Sequence, residues 1–480
     1  MMKIITDIFT SFCQEAALIS MIFIYLILNF IFGKKIFKLS KIIAVISVLL
    51  AILSSLKIQI IPTYYAFNGA FLSNFYIVFF KILILICSLA VLLISKNIVL
   101  TKRSKIYDYY TFILIATLGA ISLVASDDFL SMFIILQLTG ISTFIMMLFS
   151  KNSEAEKAAI KYFITQIVSS AVILLGISYI YMSTGSLNFE VIYSFLNQGN
   201  EISPFFDIGC ILCSLGLTFY IGIIPFSNWV SDSFEKINRN TILFLSIVPV
   251  VAVFGLISRL IVFIFQYTPM VQALLFIIGI LSIFKGVLCL LRQDSLNSFM
   301  GYSFNAQSGF IILGFCLATP YAVSNSLFYI LTYIVATFGM YICLNELLIE
   351  HRIKEINALK GLVYKNKLLA LTITIFLFSL AGLPITAGFL AKIFLFGSII
   401  KCTNLYLAFL GITLPAVVIG IYAYCRPIKS MLETNKNFYI TNLKFSLQKL
   451  ILYTCAIITV LICILPDMIV QICQFIAYQL

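Results

Sequence analysis

Long apolar runs dominate this sequence, and they constrain the fold more than any other feature. Most of the runs are close to the roughly 20 residues that an α-helix needs to cross the hydrocarbon core of a bilayer, and a few are longer. Polar residues, proline or glycine separate the runs. The pattern predicts an all-α, polytopic integral membrane protein with about 14 transmembrane helices. The runs lie near 16–33, 39–56, 75–95, 110–126, 128–150, 156–183, 208–226, 242–265, 270–291, 300–319, 326–349, 368–400, 403–425 and 450–475.

The Lys and Arg residues sort by side of the predicted membrane. Most of the 31 cations fall in alternate loops, with the largest clusters at 352–367 and 426–449. The opposite loops carry only Lys3, Lys57 and Lys401. Because positively charged loops remain on the cytoplasmic side, both termini are predicted on the non-cytoplasmic side of an inner (cytoplasmic) membrane.

Sequence motifs for redox centres, metals and nucleotides are absent. The 12 cysteines are scattered, and the one CxxC pair, Cys210 and Cys213, falls inside a predicted span where no loop can wrap a metal. His351 is the single histidine, which excludes a His-rich haem or metal site. No Walker or dinucleotide glycine pattern follows a strand. We therefore expect no metal and no cofactor on this chain, and any electron-transfer chemistry in its partners.

Five cations lie inside predicted spans, where a charge costs at least about 2.5 kcal/mol on insertion scales. They are Lys81, Lys161, Arg259, Lys285 and Lys392. Lys392 lies deep in an apolar run and is the strongest functional candidate. Lys161 either has a function or extends to the cytoplasmic surface. The other three are expected to reach an interface or a neighbouring carbonyl through their long side chains.

Acidic residues are missing from the centres of the spans. All 18 Asp and Glu fall in loops or near predicted helix ends. A proton relay normally combines groups that exchange protons, such as a carboxylate near a lysine. Gln137, in the middle of its run, is isosteric with Glu but does not titrate. By itself it is interpreted as an interhelical hydrogen-bonding residue.

The longest apolar run, 368–400, contains an internal break signal. Its segment LAGLPITAG includes Pro384, which lacks a backbone donor. Gly382 and Gly388 flank that proline and permit unusual backbone angles. The sequence therefore predicts a broken helix at this point, just ahead of Lys392.

Several stretches together resemble one family, the antiporter-like membrane subunits of proton-pumping NADH:quinone oxidoreductase (respiratory complex I). Within that family they are most similar to subunit N, called subunit 2 in mitochondria. Together they cover most of 110–430. The stretches are SDDFLSMFIILQLTG (126–140), EAEKAAIKYFITQIVSSAVILLGISYIYMSTGS (154–186), GLTFYIGIIPFSNWVSD (216–232), LRQDSLNSFMGYSFNAQSGFIILG (291–314), LFYILTYIVATFGMY (327–341) and SLAGLPITAGFLAKIFLF (379–396).

The resemblance implies two inverted five-helix repeats, each with one broken helix. Pro225 and Pro384 fall where the two breaks are expected. The implied organisation has helices 1–3 in 1–109, the first repeat (helices 4–8) in 110–265, the second repeat (helices 9–13) in 266–425, and a cytoplasmic link with the last helix in 426–480.

The resemblance also implies a proton path through the spans. Lys161 and Lys392 match the lysines of the sixth and twelfth spans. Gln137 stands where a Glu is expected in the fifth span, while Tyr220 and Val250 stand at lysine positions of the seventh and eighth. Because a Glu and two lysines are missing together, no uncompensated buried charge remains. We expect a divergent copy whose N-terminal proton path is degenerate.

The implied function is that of a non-redox membrane-arm subunit, not catalytic alone. It couples electron transport from NADH to quinone with proton translocation across the inner membrane. Partner subunits would hold NADH, flavin, iron-sulfur clusters and quinone, and the chain would contact the lipid bilayer but no nucleic acid. Two alternatives stay open: a subunit of a multi-subunit Na+/H+ antiporter, and a non-transporting structural or assembly subunit.

Overall fold

The fold is nearly all helical, which confirms the all-α prediction. The structure is a computed structural model, and it describes residues 12–32, 39–55, 63–95, 106–150, 152–198, 203–351, 354–401, 404–434 and 447–480. One antiparallel hairpin was not expected from the sequence. Its strands are β1 (Tyr64–Ala66) and β2 (Phe71–Ser73), and Tyr64 pairs with Ser73.

The helices follow the predicted runs closely. In chain order they are α1 (Cys13–Phe32), α2 (Ser40–Ser55), α3 (Phe75–Ile94), α4 (Ile106–Ala125), α5 (Phe129–Leu148), α6 (Ser153–Thr184), α7 (Phe189–Asn197), α8 (Pro204–Leu217), α9 (Asn228–Lys236), α10 (Arg239–Phe263), α11 (Pro269–Arg292), α12 (Leu296–Phe315), α13 (Pro320–His351), α14 (Leu362–Lys365), α15 (Lys367–Ala381), α16 (Ala387–Ile400), α17 (Asn404–Leu432), α18 (Leu447–Ile464) and α19 (Pro466–Ala477).

Local sequence signals account for several helix ends. The side chains of Asn74, Asp128 and Asn152 accept hydrogen bonds from backbone N–H groups in the first turns of α3, α5 and α6. These caps satisfy donors that a helix start leaves unpaired. Gly185 ends α6 in the left-handed conformation, with φ of 68°.

The described chain forms two compact units. The first comprises Met1–Ile221, Lys236–Gln272 and Gln479–Leu480, and the second comprises Gly222–Glu235 and Ala273–Tyr478. Residues 222–235 therefore pack with the second unit although they precede most of it in sequence.

Within the first unit, small residues let α6 and α8 approach closely. A Cβ added at Gly176 would lie 2.7 Å from the Gly209 carbonyl oxygen, and the Ser169 hydroxyl donates to the Gly216 carbonyl at 2.7 Å. Such contacts are typical of helices packed inside a membrane, where lipid offers no hydrophobic driving force.

Within the second unit, α13 is the central helix. It packs against α12, α15, α16, α18 and α19, and its side chains are largely buried. Both halves of the interrupted pair, α15 and α16, therefore pack on α13. Lys392 is buried next to the interruption, whereas Pro384 and Ile385 inside it are exposed.

Many of these helices are suited to a bilayer. In the described ranges, nine helices are long and apolar enough to cross a membrane, and the bent pair α18 and α19 makes a tenth if it counts as one span. The sequence predicted one transmembrane helix over 450–475, but this segment forms a pair of helices bent by 84°. Pro466 begins α19 and lacks the N–H that would continue α18. The chain is a multi-pass membrane protein.

Candidate functional site

One helix break in the second unit lies between α15 and α16. α15 ends at Ala381, Gly382 adopts φ of 77°, and α16 begins at Ala387. Pro384 lies inside the interruption, where its missing N–H costs no helical hydrogen bond. The last carbonyls of α15 have no partners farther along a helix, so they are available as acceptors.

Lys392 extends into this break from α16 and is 6% exposed. Its Nζ donates to the carbonyls of Leu380 at 3.2 Å and Ala381 at 2.6 Å. It also lies 4.9 Å from the ring centroid of Phe310. A helix C-terminus carries partial negative charge, which favours the ammonium. None of the ion pairs formed among the described residues includes Lys392.

Two glycines allow the chain to close around this lysine. A Cβ at Gly382 would lie 2.6 Å from Cδ of Lys392, and a Cβ at Gly388 would lie 1.9 Å from the Ser379 carbonyl oxygen. Any larger side chain at Gly388 must therefore displace backbone at the end of α15. The glycines act by permitting close approach rather than by contacting an ion.

A chain of neutral hydrogen bonds leads to the same break. The Tyr329 hydroxyl donates to Oε1 of Gln307 at 2.6 Å. The Gln307 amide donates to the Tyr424 hydroxyl at 3.1 Å and to the Leu380 carbonyl at 2.9 Å. That carbonyl also accepts from Lys392, so the chain and the lysine share one acceptor.

A cavity of about 10 Å³ lies beside this chain, which is room for about one water. Gln307, Tyr329 and Ser379 contribute polar atoms to its lining. The sequence prediction missed these residues. Their signal was available, because Gln307 and Tyr329 are polar residues within predicted spans, but neither carries a charge.

The other predicted break lies between α8 and α9. α8 ends at Leu217 and α9 begins at Asn228, so both Tyr220 and Pro225 lie in the intervening turns rather than on a helix. Gly222 adopts φ of 67° there. The sequence predicted an apolar run as far as residue 226, whereas the helix ends nine residues earlier because the chain turns after Leu217.

Uncharged polar side chains gather in the first unit near two predicted path positions, Gln137 and Tyr220. The Tyr220 hydroxyl faces Gln166, and Gln166 packs so closely on α5 that a Cβ at Gly140 would lie 1.9 Å from its Nε2. Gln137 lies one turn before Gly140. Among the described residues, the polar atoms of Gln166, the Tyr220 hydroxyl and Nε2 of Gln137 are buried without a hydrogen-bond partner.

The two remaining predicted path residues lie in different surroundings. Lys161 lies on an exposed face of α6, eight residues into a 32-residue helix that begins at Ser153. Val250 is buried on α10 beside Pro249 and offers only an apolar side chain. Neither residue adds a buried charge to the cluster of Gln137, Gln166 and Tyr220.

Lys81 forms a buried ion pair that the sequence did not predict. Its Nζ lies 2.6 Å from Oε1 of Glu15, and the two side chains are 0% and 9% exposed. The ammonium also lies 4.7 Å from the ring centroid of Phe12. Glu15 lies in the first turn of α1, so the sequence showed it only as an acid near a helix end.

Arg259 forms the second buried ion pair of the first unit. Its guanidinium donates to the carboxylate of Asp127 and to the backbone carbonyls of Val124 at 3.0 Å and Ser126 at 2.6 Å. Burial raises the pKa of Asp127, and the charge of Arg259 opposes that rise. The prediction that Arg259 reaches a neighbouring carbonyl agrees with this geometry.

Lys285 contacts the other helix break from within the second unit. Its Nζ donates to Oγ of Ser227 and to Oδ1 of Asn228, each at 2.7 Å. Three residues earlier on the same helix, the Ser282 hydroxyl accepts a hydrogen bond from the Ile224 backbone N–H at 3.0 Å. One face of α11 therefore fixes the turn that precedes α9 at two points.

Metal ligands do not cluster in the described ranges. No group of three or more His, Cys, Asp or Glu side chains there is arranged to hold a metal ion. Cys210 and Cys213 are both buried on α8, and the Cys213 thiol contacts the Ile173 carbonyl at 3.6 Å.

Known proteins are similar to this chain in sequence and in fold. The family described as NADH:quinone oxidoreductase/Mrp antiporter, TM, matches residues 126–419. NADH-quinone oxidoreductase subunit N 1 of Rhizobium meliloti is 30% identical over 374 residues, which covers 76% of each chain. Subunit N of Bartonella bacilliformis is 31% identical over 378 residues, covering 76% of this chain and 77% of the relative.

Solved structures share the fold at lower sequence identity. A chain of respiratory complex I from Thermus thermophilus superposes with a TM-score of 0.79 at 21% identity, covering 95% of this chain and 98% of that one. A chain of the Mrp complex from Dietzia sp. gives 0.81 at 13% identity, with 97% of each covered. The present chain belongs to the NADH:quinone oxidoreductase/Mrp antiporter family of membrane subunits.

Proposed function

We propose that this chain is the N-type membrane-arm subunit of an NADH-quinone oxidoreductase and couples electron transport to proton translocation through the break between α15 and α16. The observation that carries the proposal is the buried Lys392 ammonium, held by two backbone carbonyls. The family supports it, because curated relatives at 30% and 31% identity bear the name of that subunit.

The two carbonyls that surround the Lys392 ammonium suit a group that gains and loses a proton. A lysine ammonium has three N–H donors, and its neutral amine has two. The carbonyls of Leu380 and Ala381 are two acceptors, so Lys392 keeps both hydrogen bonds in either state. The adjacent cavity beside Gln307 has room for the water that would receive or supply the proton.

The proposed membrane topology has about 14 spans. It counts each broken helix and the bent pair α18 and α19 as one span, and includes the shorter α2 and the more polar α12. Two inverted repeats, 110–265 and 266–425, are supported by the equal 32-residue lengths of α6 and α13, each followed by an interrupted helix. Residues 1–109 and 426–480 flank the repeats, and both termini face the non-cytoplasmic side of the inner membrane.

The first repeat is proposed to have a degenerate proton path. Gln137, Gln166 and Tyr220 are polar but carry no charge, and Val250 is apolar. Lys161 remains on the exposed face of α6. Glutamine and a buried tyrosine hydroxyl can orient water, but they do not hold a charge that responds to a neighbouring proton.

Partners complete the proposed enzyme. Other membrane subunits surround the chain, as in the multi-subunit assemblies to which its relatives belong, and NADH, flavin, iron-sulfur clusters and quinone are held by partner subunits. This chain contributes the membrane scaffold and the Lys392 break, and no redox step.

The test replaces Lys392 in the assembled complex and measures both protons moved and NADH oxidised in membrane vesicles. Lys392→Met removes the proton carrier and Lys392→Arg keeps a charge that does not deprotonate. We expect both variants to lower the number of protons moved per NADH. A wild-type ratio in both variants, with normal assembly, contradicts the proposal.

The degenerate first path has its own test. Gln137→Glu, Tyr220→Lys and Val250→Lys are introduced together, because one charge alone would be buried without a partner. We expect this triple variant to raise the protons moved per NADH. A normal number of protons moved per NADH before the substitution would contradict the proposed degeneracy.

A Na+/H+ antiporter subunit is the second candidate function, since the matching family includes Mrp antiporters and the fold superposes on an Mrp chain. Affinity purification separates the two. Hydrophilic subunits that oxidise NADH copurify with the chain under the first proposal, and are missing from the purified complex under the second.

A further inference from the structure

We infer that Lys285 is a second proton-carrying lysine, which enters the break between α8 and α9 from the neighbouring helix α11. The inference rests on the proposed function and extends it to a break whose own segment, residues 218–227, contains no lysine. The juxtaposition of Lys285 with Ser227 and Asn228 carries it.

Lys285 lies deep enough in α11 that placing a charge there costs free energy. It lies roughly 10 Å from the Arg292 end of α11, at about 1.5 Å per residue. A charge at such a depth in a membrane helix is expensive and is a functional candidate by default. Lys285 is only half-buried, yet its ammonium is fixed by two hydrogen bonds to the break.

The acceptors of Lys285 match those of Lys392 in number and charge. Ser227 Oγ and Asn228 Oδ1 are both neutral oxygens at 2.7 Å. None of the ion pairs formed by the described residues includes Lys285. With two acceptors, a neutral amine keeps both hydrogen bonds, so loss of a proton does not dismantle the contact.

If the residue at position 285 only fixed the turn before α9, a side chain other than lysine would suit this role better. Asn228 begins α9, and the start of a helix carries partial positive charge that repels a cation. A glutamine could donate to the same oxygens without that repulsion. A permanently charged ammonium is therefore unfavourable at the start of α9. A lysine that releases its proton is no longer repelled by the partial positive charge there.

The turn that Lys285 contacts is held in place independently of the lysine. Ser282 accepts from the Ile224 N–H at 3.0 Å, and a Cβ at Gly222 would lie 2.3 Å from the Phe304 ring. These contacts would maintain the break after the lysine is replaced, so its charge can be tested separately from the fold.

The experiment uses the assembled complex in membrane vesicles and three substitutions at one position. Lys285→Gln keeps hydrogen bonding without charge, Lys285→Arg keeps charge without a releasable proton, and Lys285→Met removes both. We expect all three to assemble and to move fewer protons per NADH. The matched control is Lys360→Met, which removes a lysine from an exposed ion pair with Glu433.

The outcomes separate the inference from the proposed function. A wild-type ratio in Lys285→Gln or in Lys285→Arg overturns the inference, because hydrogen bonding or fixed charge is then sufficient. Failure of all three variants to assemble, while Lys360→Met assembles, also overturns it and assigns Lys285 a structural role. If Lys392→Met lowers the ratio and the Lys285 variants do not, only the inference fails; if Lys392→Met has no effect, the proposed function fails.

Discussion

The two units of this protein hold four cations of their membrane helices in opposite ways. In the first unit, Lys81 and Arg259 each face a carboxylate, that of Glu15 or Asp127. In the second unit, the described contacts of Lys285 and Lys392 are hydrogen bonds to neutral oxygens and, for Lys392, an aromatic ring. A cation beside a carboxylate is held in its charged state, whereas a cation among neutral acceptors can change state without leaving a bare anion.

The helix ends near these lysines sharpen the contrast within the second unit. Lys392 meets the carbonyl end of α15, where partial negative charge stabilises an ammonium. Lys285 meets the N-terminal end of α9, where partial positive charge does the reverse. The two breaks therefore act on their lysines with opposite sign.

The strongest test of the contrast is to remove one member of a buried ion pair. Lys81→Met leaves the Glu15 carboxylate buried without its cation, and we expect unfolding to become about 3–5 kcal/mol easier. Chemical denaturation in detergent measures this loss. The double variant Lys81→Met/Glu15→Leu should recover most of it, because no charge remains uncompensated.

Lys392→Met supplies the comparison for that measurement. It leaves no buried carboxylate behind, so its loss of stability should be clearly smaller than that of Lys81→Met. Equal losses would mean that the two kinds of lysine do not differ, and would remove the basis for assigning them different roles.

A smaller effect is expected from adding a side chain at the break between α15 and α16, next to Lys392. Gly388→Ala places a Cβ against the Ser379 carbonyl and displaces the end of α15, at a cost of about 1–3 kcal/mol. Proton movement should fall with it, because the carbonyls that hold Lys392 shift. Thermal unfolding and the proton-to-NADH ratio are measured together.

The matched control is Gly397→Ala on the same helix. A Cβ at Gly397 meets nothing within 4 Å, and alanine favours helix over glycine. We expect no loss of stability or activity. If Gly388→Ala and Gly397→Ala behave alike, the close approach at the break is not required.

The smallest effect is expected at the exposed ion pair between Lys360 and Glu433, whose atoms lie 2.7 Å apart. The hydrogen bond and charge of Lys360 lower the pKa of Glu433. A lowered carboxylate pKa stabilises the fold above the ordinary pKa, and that contribution disappears as the pH falls through the lowered value.

Lys360→Met should leave the unfolding temperature at neutral pH nearly unchanged, because exposed ion pairs contribute little. The titration of Glu433 should return towards its ordinary range, which NMR of labelled glutamate can follow. A large loss of stability would show that exposure does not weaken this pair. Buried and exposed ion pairs would then not differ in their contribution to the free energy of unfolding.

The sequence predicted the helices and the interior lysines, but few of the contacts that these lysines make. The run at 368–400 carried its own interruption signal, and the chain is interrupted between Ala381 and Ala387. The bend at Pro466 also had a local signal, which a single helix over 450–475 overlooked. The hairpin at 64–73 was missed because its strands have only three residues each.

The pairing of the buried charges could not be predicted from the sequence. Glu15 and Asp127 each lie near a helix end, where an acid is usually solvated, and nothing local indicates a partner. The hydrogen-bonded chain of Gln307, Tyr329 and Tyr424 joins three different helices. Such contacts arise only when distant segments pack.

The sequence by itself determined that this chain is a bundle of membrane helices, because hydrocarbon requires every backbone group to bond within its own helix and the apolar runs supply the length. It also determined which cations lie at membrane depth. Only the tertiary structure decided what each cation meets: carboxylates for Lys81 and Arg259, neutral oxygens for Lys285 and Lys392. The physical reason is that these partners lie on other elements of the fold, and the packing of those elements sets whether a buried charge is fixed or free to change.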